Sequence, residues 1–194
     1  MITMKDIIRE GNPLLKQKAV DVNIPLSNED EKLIIEMMEY VYNSVDEEMM
    51  EKYDLRPAVG LAAPQLGILE KMIAIVAPDE KGVEHEFAII NPRLLSYSDE
   101  LTYLEGGEGC LSVDRKCDAL IHRPKRVSFE AYFYDLDTGK LEKKLMKLKG
   151  YLAVVFQHEF DHLNGILFVD RQNTSNPYHI PENSSPIKFE FDEN

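Results

Sequence analysis

The stretch GYLAVVFQHEFDHLNG, residues 150–165, decides how this chain folds. Apolar residues lie nearly all round it, with Leu152, Phe156, Phe160 and Leu163 on one side and Tyr151, Val154, Val155 and His158 on the other. A helix that is apolar on every side belongs inside a protein, and Asn164 with Gly165 supplies a left-handed stop at its end. His158 and His162 stand four residues apart, which stacks them on one helix face at about 100° per residue. Two imidazoles on so apolar a helix need a partner for each ring nitrogen. A metal ion is one such partner, and backbone or carboxylate groups around two core histidines are the alternative. Glu159, turned about 100° from His158, can lie beside an ion without ligating it, the usual place of a general base.

Two histidines need a third ligand. In one metalloprotease pattern, H-E-x-x-H-x-x-G-x-x-H, Gly165 falls in register but the final position is Phe168. Glu182 and His179 lie in loop-like sequence. Cys110, within EGGEGCLSV, is the remaining soft ligand, and one thiolate with two imidazoles leaves a fourth position open. The stretch PAVGLAAPQLG, from Pro57, adds a run of small residues that lets a backbone come close to a substrate, or that packs elements tightly. On the first reading Val59 and Gly60 run alongside the substrate, the Gly60 backbone pairs with it as an added strand, and Gln65 presents an amide donor. Tyr151, Val154 and Val155 lie one or two turns before His158 on the face toward the ion, as an apolar slot or as ordinary core.

Outward from this region, Ser27 and Asp30 form a capping box ahead of Leu33, Met37, Val41 and Val45, predicting an amphipathic helix over residues 28–48. Acidic residues crowd 46–54, which reads as a solvated loop. MIAIVA from Met72 and EFAIINP from Glu86 read as strands, and RVSFEAYFYD with KLEKKLMKL reads as a hairpin across DLDTG. From about residue 172 the sequence turns irregular, with IKFEF at 187–191 as a last edge strand. The expectation is a single domain over residues 1–194, of class α+β, with mostly antiparallel sheets packed around a central buried helix that carries HExxH.

Composition narrows the function. With 22 basic and 35 acidic residues the net charge is −13, which repels phosphate backbones and anionic lipid and argues against direct nucleic-acid or membrane partners. No apolar run approaches a membrane span, and MITMKDIIRE lacks the pattern of a secretory signal, so a cytoplasmic location is expected. Cys110 and Cys117 are the two cysteines. No structural disulfide is expected there, and Cys117 reads as packing.

Taken together, VGLAAPQ (59–65), EGCLS (108–112) and QHEFDHLNG (157–165), in that order, resemble the three motifs of peptide deformylase. DIIREGNPLL from Asp6 fits too, so the resemblance spans residues 1 to about 171. Ala58 stands where the family's first motif usually starts with glycine. The acidic stretch before that motif resembles the type II branch common in Gram-positive bacteria, and the tail lacks the basic C-terminal helix by which some relatives dock to ribosomes. The resemblance implies removal of the formyl group from the N-terminal formyl-methionine of nascent bacterial proteins. It implies that Cys110, His158 and His162 bind the metal, that Glu159 moves protons, and that Gln65 and the Leu111 backbone N–H hold the oxyanion. It further implies Fe2+ in the cell, with Zn2+, Ni2+ or Co2+ able to occupy the site; ligand types alone would suggest zinc. Its partners would be N-formyl-methionyl nascent peptides, with transient ribosome association, and the slot of Tyr151, Val154 and Val155 would suit a methionine side chain. A monomer is expected. Arg123, in IHRPKRV, pairs with Glu108 or is solvated, and Asp161 steadies a ligand imidazole or lies on the helix surface. The competing readings are a metalloprotease, against which Phe168 argues, and a metal-stabilised binding protein.

Overall fold

The computed structural model describes residues 1–190. Ser27 starts α1 (Asn28–Asn43) by accepting from the Asp30 backbone N–H, while the Asp30 side chain accepts from the Ser27 N–H, so the capping box is complete. The helix ends sooner than its apolar spacing suggests. Ser44 is fully buried, and its hydroxyl donates to the Val41 carbonyl and bonds both the N–H and the C=O of Ala58. That clasp turns the chain and leaves Val45 60% exposed instead of in the stripe. The acidic segment is also not a loop: α2 (Glu47–Tyr53) begins at Asp46, which accepts from the Met49 N–H, and ends at Asp54 in the left-handed region. Acids that read as solvation are here a cap and a first turn favoured by the helix dipole.

The strands follow as β1 (Gly60–Ala62), β2 (Met72–Pro78), β3 (Glu84–Tyr97), β4 (Leu101–Tyr103), β5 (Arg123–Pro124), β6 (Arg126–Tyr134) and β7 (Leu141–Lys149). Then come α3 (Gly150–Leu163) and β8 (Ser184–Pro186). A five-stranded sheet runs β1-β2-β3-β6-β7, every neighbour antiparallel. β6 and β7 form the hairpin that the alternating pattern predicts. β3 extends past Glu86 in both directions and is interrupted by a bulge between Ile90 and Arg93, where Asn91 takes a positive φ.

The sheet is buried on both faces along β2, which explains the unbroken apolar run MIAIVA. Met72, Ala74 and Val76 meet Ile34, Met37, Met38 and Val41 of α1. Ile73, Ile75 and Ala77 join Phe129 and Ala131 of β6 against Leu152, Ala153, Val155 and Phe156 of α3. Phe129 and Phe156 stack with centroids 3.9 Å apart. The architecture is α+β with mostly antiparallel sheets, α1 on one face of the large sheet and α3 on the other.

α3 stops where its sequence says it should. Gly165 has φ 72, and a Cβ there would lie 2.6 Å from the Lys16 backbone, so only glycine fits both the turn and the neighbour. The final strand is displaced from its expected place. The pairing is made by Ser184–Pro186, parallel to β4 in a small sheet ordered β5-β4-β8. There the Thr102 hydroxyl donates to the Ser185 carbonyl, and Ile187 N–H closes the pair on Tyr103. Ile187 to Glu190 are not strand, and residue 191 of the expected segment lies outside the described residues. Among the described residues no helix is long and apolar enough to cross a membrane.

Because Phe129 is wholly buried against Phe156, Phe129→Ala should destabilise the fold by about 3–5 kcal/mol, read as a lower urea midpoint with an unchanged slope.

Candidate metal centre

Three segments meet at one point. Cys110, in the loop between β4 and β5, comes against His158 and His162 of α3, so that one ligand atom from each lies within 4.8 Å of the others. Cys110 Sγ is 3.4 Å from His162 Nε2. All three side chains are nearly or fully buried.

The loop is held to the helix by a buried charge cluster. Arg123, 1% exposed, grips both carboxylate oxygens of Glu108 at 2.6 and 2.9 Å, and its third donor reaches Asp161 at 2.8 Å. Arg171 closes on the other side of Asp161. Glu108 lies two residues before Cys110, and its Oε2 is 2.8 Å from His158 Nδ1. Burial alone would raise the Glu108 pKa, but the Arg123 guanidinium and the His158 ring outweigh it and hold the carboxyl down, to about 2. An ionised Glu108 can only accept, so His158 Nδ1 donates to it, which turns the other ring nitrogen away from Glu108.

Burial pulls the His158 pKa down, but hydrogen bonds to Cys110 and Glu108 reverse this and raise it well above the ordinary value. His162 goes the other way, lowered by burial and by His158. Glu159 is raised to about 7, burial outweighing the pull of His158 and Arg123. A carboxyl that titrates near neutrality can take up and return a proton. Among the described residues, Oε2 of Glu159 and Nδ1 of His162 are buried without a hydrogen-bond partner. The unpaired Glu159 oxygen beside a thiol and two imidazoles fits a site for a divalent ion, with Glu159 at its side.

A cleft of about 370 Å³ opens over this centre. Ala58, Val59 and Gly60 form one wall, Cys110 and Leu111 the other, and Tyr151, Val154, Val155, His158 and Glu159 the floor. Gln65, 2% exposed, accepts the Ala62 N–H on Oε1 at 2.9 Å, which turns Nε2 toward Cys110 Sγ at 3.5 Å and Ser112 Oγ at 3.4 Å. Gly60 needs its missing side chain: a Cβ there would sit 2.5 Å from Glu159 Oε1. Every residue expected at the site from sequence is therefore in this one region.

Four relationships were not legible. Glu108 reads from sequence only as a partner for Arg123; its bond to His158 follows from the rule that a ligand imidazole needs an acceptor on its other nitrogen. Asp161 is 3% exposed and bound to two arginines, so neither the helix-surface reading nor a bond to an imidazole describes it. Ser112, fully buried beside Gln65, had no signal beyond its motif. Val45 joins the cleft lining because Ser44 ends α1 early.

A family profile described as polypeptide deformylase matches residues 4–177. The chain belongs to the peptide deformylase family. It is 51% identical to the peptide deformylase of Oceanobacillus iheyensis over 97% of this chain and all of that one. It is 48% identical to peptide deformylase 2 of Bacillus cereus with the same coverage, in keeping with the Gram-positive branch. Among solved structures, the Thermotoga maritima peptide deformylase superposes with a TM-score of 0.60 at 36% identity, covering 85% of this chain and 95% of that chain. A Met-Ala-Ser-bound peptide deformylase from Acinetobacter baumannii gives 0.65 at 28% identity, over 85% of this chain and 96% of that one. The deformylase activity is metal-dependent removal of the N-formyl group from nascent peptides, which makes the chain a hydrolase of protein biosynthesis.

Since Arg123 neutralises two buried carboxylates, Arg123→Met should destabilise the protein by about 3–5 kcal/mol. The measurement is urea unfolding with Lys71→Met as the surface control, where a change under about 1 kcal/mol is expected.

Proposed function

We propose that Cys110, His158 and His162 hold one divalent metal and that Glu159 carries protons for deformylation on the single domain. α3 would serve as its central buried helix. The observation that carries this reading is the convergence of those three ligand atoms within 4.8 Å beside a carboxyl whose pKa is raised to about 7. Ferrous iron is the proposed resident ion, with Zn2+, Ni2+ or Co2+ able to replace it; thiolate and imidazole donors suit all four. When bound, the ion supplies Lewis-acid chemistry, acidifying water and polarising the formyl carbonyl.

The chain's own residues do the rest. Val59 and Gly60 line the cleft, where the Gly60 backbone, at the start of β1, pairs with the peptide as an added strand. Tyr151, Val154 and Val155 receive the methionine side chain, whose flexible thioether adapts to an apolar slot. Glu159 accepts a proton from the attacking water at its buried carboxylate and returns it to the departing amine. As attack proceeds, charge gathers on the formyl oxygen. The Gln65 amide, aimed by its bond to Ala62, and the Leu111 N–H stabilise that charge; one such donor is worth about 3 kcal/mol. Formate and a free N-terminal methionine result.

The substrate places this work in the cytoplasm, by a monomer that visits the ribosome transiently without binding nucleic acid or membrane. The Acinetobacter baumannii relative was crystallised with Met-Ala-Ser, the product such a reaction would leave from formyl-Met-Ala-Ser, and that supports the substrate assignment. A metalloprotease has Phe168 against it, stacked on His158 where a ligand would be needed.

Formate release from formyl-Met-Ala-Ser tests the function, with unformylated Met-Ala-Ser as control. Cleavage inside the unformylated chain would favour a protease. Glu159→Gln should lower kcat by about 10²- to 10⁴-fold with the metal retained; undiminished turnover would remove the proton-carrier role. Gly60→Ala, by displacing Glu159 Oε1, should lower kcat by about 10²-fold without a matching loss of metal, measured by elemental analysis alongside kinetics.

A further inference from the structure

The match to the family profile ends at residue 177, and the chain beyond it runs back to the first turn of α3. Three bonds fix its path. The Thr102 hydroxyl holds the Ser185 carbonyl at 2.8 Å, the Ile187 N–H donates to Tyr103 at 2.9 Å, and the Glu190 N–H donates to the Glu80 carbonyl at 2.8 Å. Glu80 is also the residue whose Oε1 accepts the backbone N–H of Tyr151, at 2.9 Å. One residue thus joins the end of the tail to the first turn of α3. Between the last two anchors, Phe189 sets its ring edge-on to Tyr151, centroids 5.1 Å apart at 74°. Tyr151 in turn lines the cleft with Val154 and Val155.

We infer that Phe189 is a positioning residue for substrate: anchored on either side, it fixes the Tyr151 ring as one wall of the apolar slot and so sets affinity for the side chain beside the formyl group. This rests on the deformylase reading above, in which that slot receives methionine. Tyr151 has the Glu80 bond on its backbone, but the ring itself is steadied by an aromatic neighbour from beyond the stretch that the family profile matches. Without the Phe189 ring, Tyr151 regains rotamer freedom that binding must then remove. The loss falls on binding, because the ring that Phe189 meets belongs to Tyr151, which lines the slot and is neither a candidate ligand nor the proton carrier.

The test compares full-length, metal-loaded wild type with Phe189→Ala and Phe189→Tyr. Formate release from formyl-Met-Ala-Ser and from formyl-Ala-Ala-Ser is measured, together with calorimetric binding of Met-Ala-Ser and metal content. Phe189→Ala should raise KM for the methionine peptide by about three- to tenfold, the range of an edge-to-face aromatic pair. It should weaken Met-Ala-Ser binding by the same factor, narrow the preference for methionine over alanine, and leave kcat within about twofold and metal content unchanged. Phe189→Tyr, which keeps the ring, should restore wild-type values. An unchanged KM and binding constant in Phe189→Ala would overturn the inference, as would equal loss of metal and kcat in both variants. Wild type that binds Met-Ala-Ser but releases no formate would overturn the deformylase reading alone, since the calorimetric comparison still decides the role of Phe189.

Discussion

One buried guanidinium sets the geometry on which the site depends. Arg123, on β5, holds Glu108 of the cysteine loop with one edge and Asp161 of α3 with another. Without that clasp nothing in the local sequence would bring Cys110 to the face of His158 and His162, since loop and helix lie some fifty residues apart along the chain. Desolvating these charges offsets most of their attraction, so the cluster contributes little net stability. Its contribution is register: Glu108 cannot pair with Arg123 in this manner without also presenting Oε2 to His158 Nδ1. The residue that places the loop thereby also orients the ring of a candidate ligand.

The large sheet supplies the other half of the arrangement. β1 is held against β2, with Gly60 opposite Ile75, and β2 is clamped between α1 and α3. That packing brings the Gly60 backbone so close to Glu159 that no side chain fits between them. A carboxyl kept dry by a glycine backbone is pushed toward neutrality by desolvation, which is the property a proton carrier needs. Ala58 lies in the same wall, where the family usually has glycine. Its backbone is bonded at both N–H and C=O to Ser44, the residue that also ends α1. The end of the first helix and the edge of the cleft are one structural event.

Much of this was legible because it depends on period and local chemistry. The apolar girth of residues 150–163, the alternation of the β6–β7 hairpin and the Ser27 capping box each announce their element, and three separated motifs announce the site. What escaped depended on distant partners. Ser44 reads as an ordinary helical residue until Ala58 is beside it. The acids after Asp46 carry the same composition whether they solvate a loop or cap α2. The last strand went to Ser184–Pro186 because β4 offered an edge there, which no property of the more apolar IKFEF could reveal. Asp161 looked like a surface carboxylate since its two arginines come from β5 and from the turn that follows α3.

The central claim is that one thiolate and two imidazoles share an ion. Metal-edge X-ray absorption on anaerobically purified protein, with metal content determined on the same sample, tests it most directly. The account predicts about one metal per chain whose nearest neighbours include one sulfur and two imidazole nitrogens. A shell without sulfur, or the same shell persisting in Cys110→Ala, would contradict it.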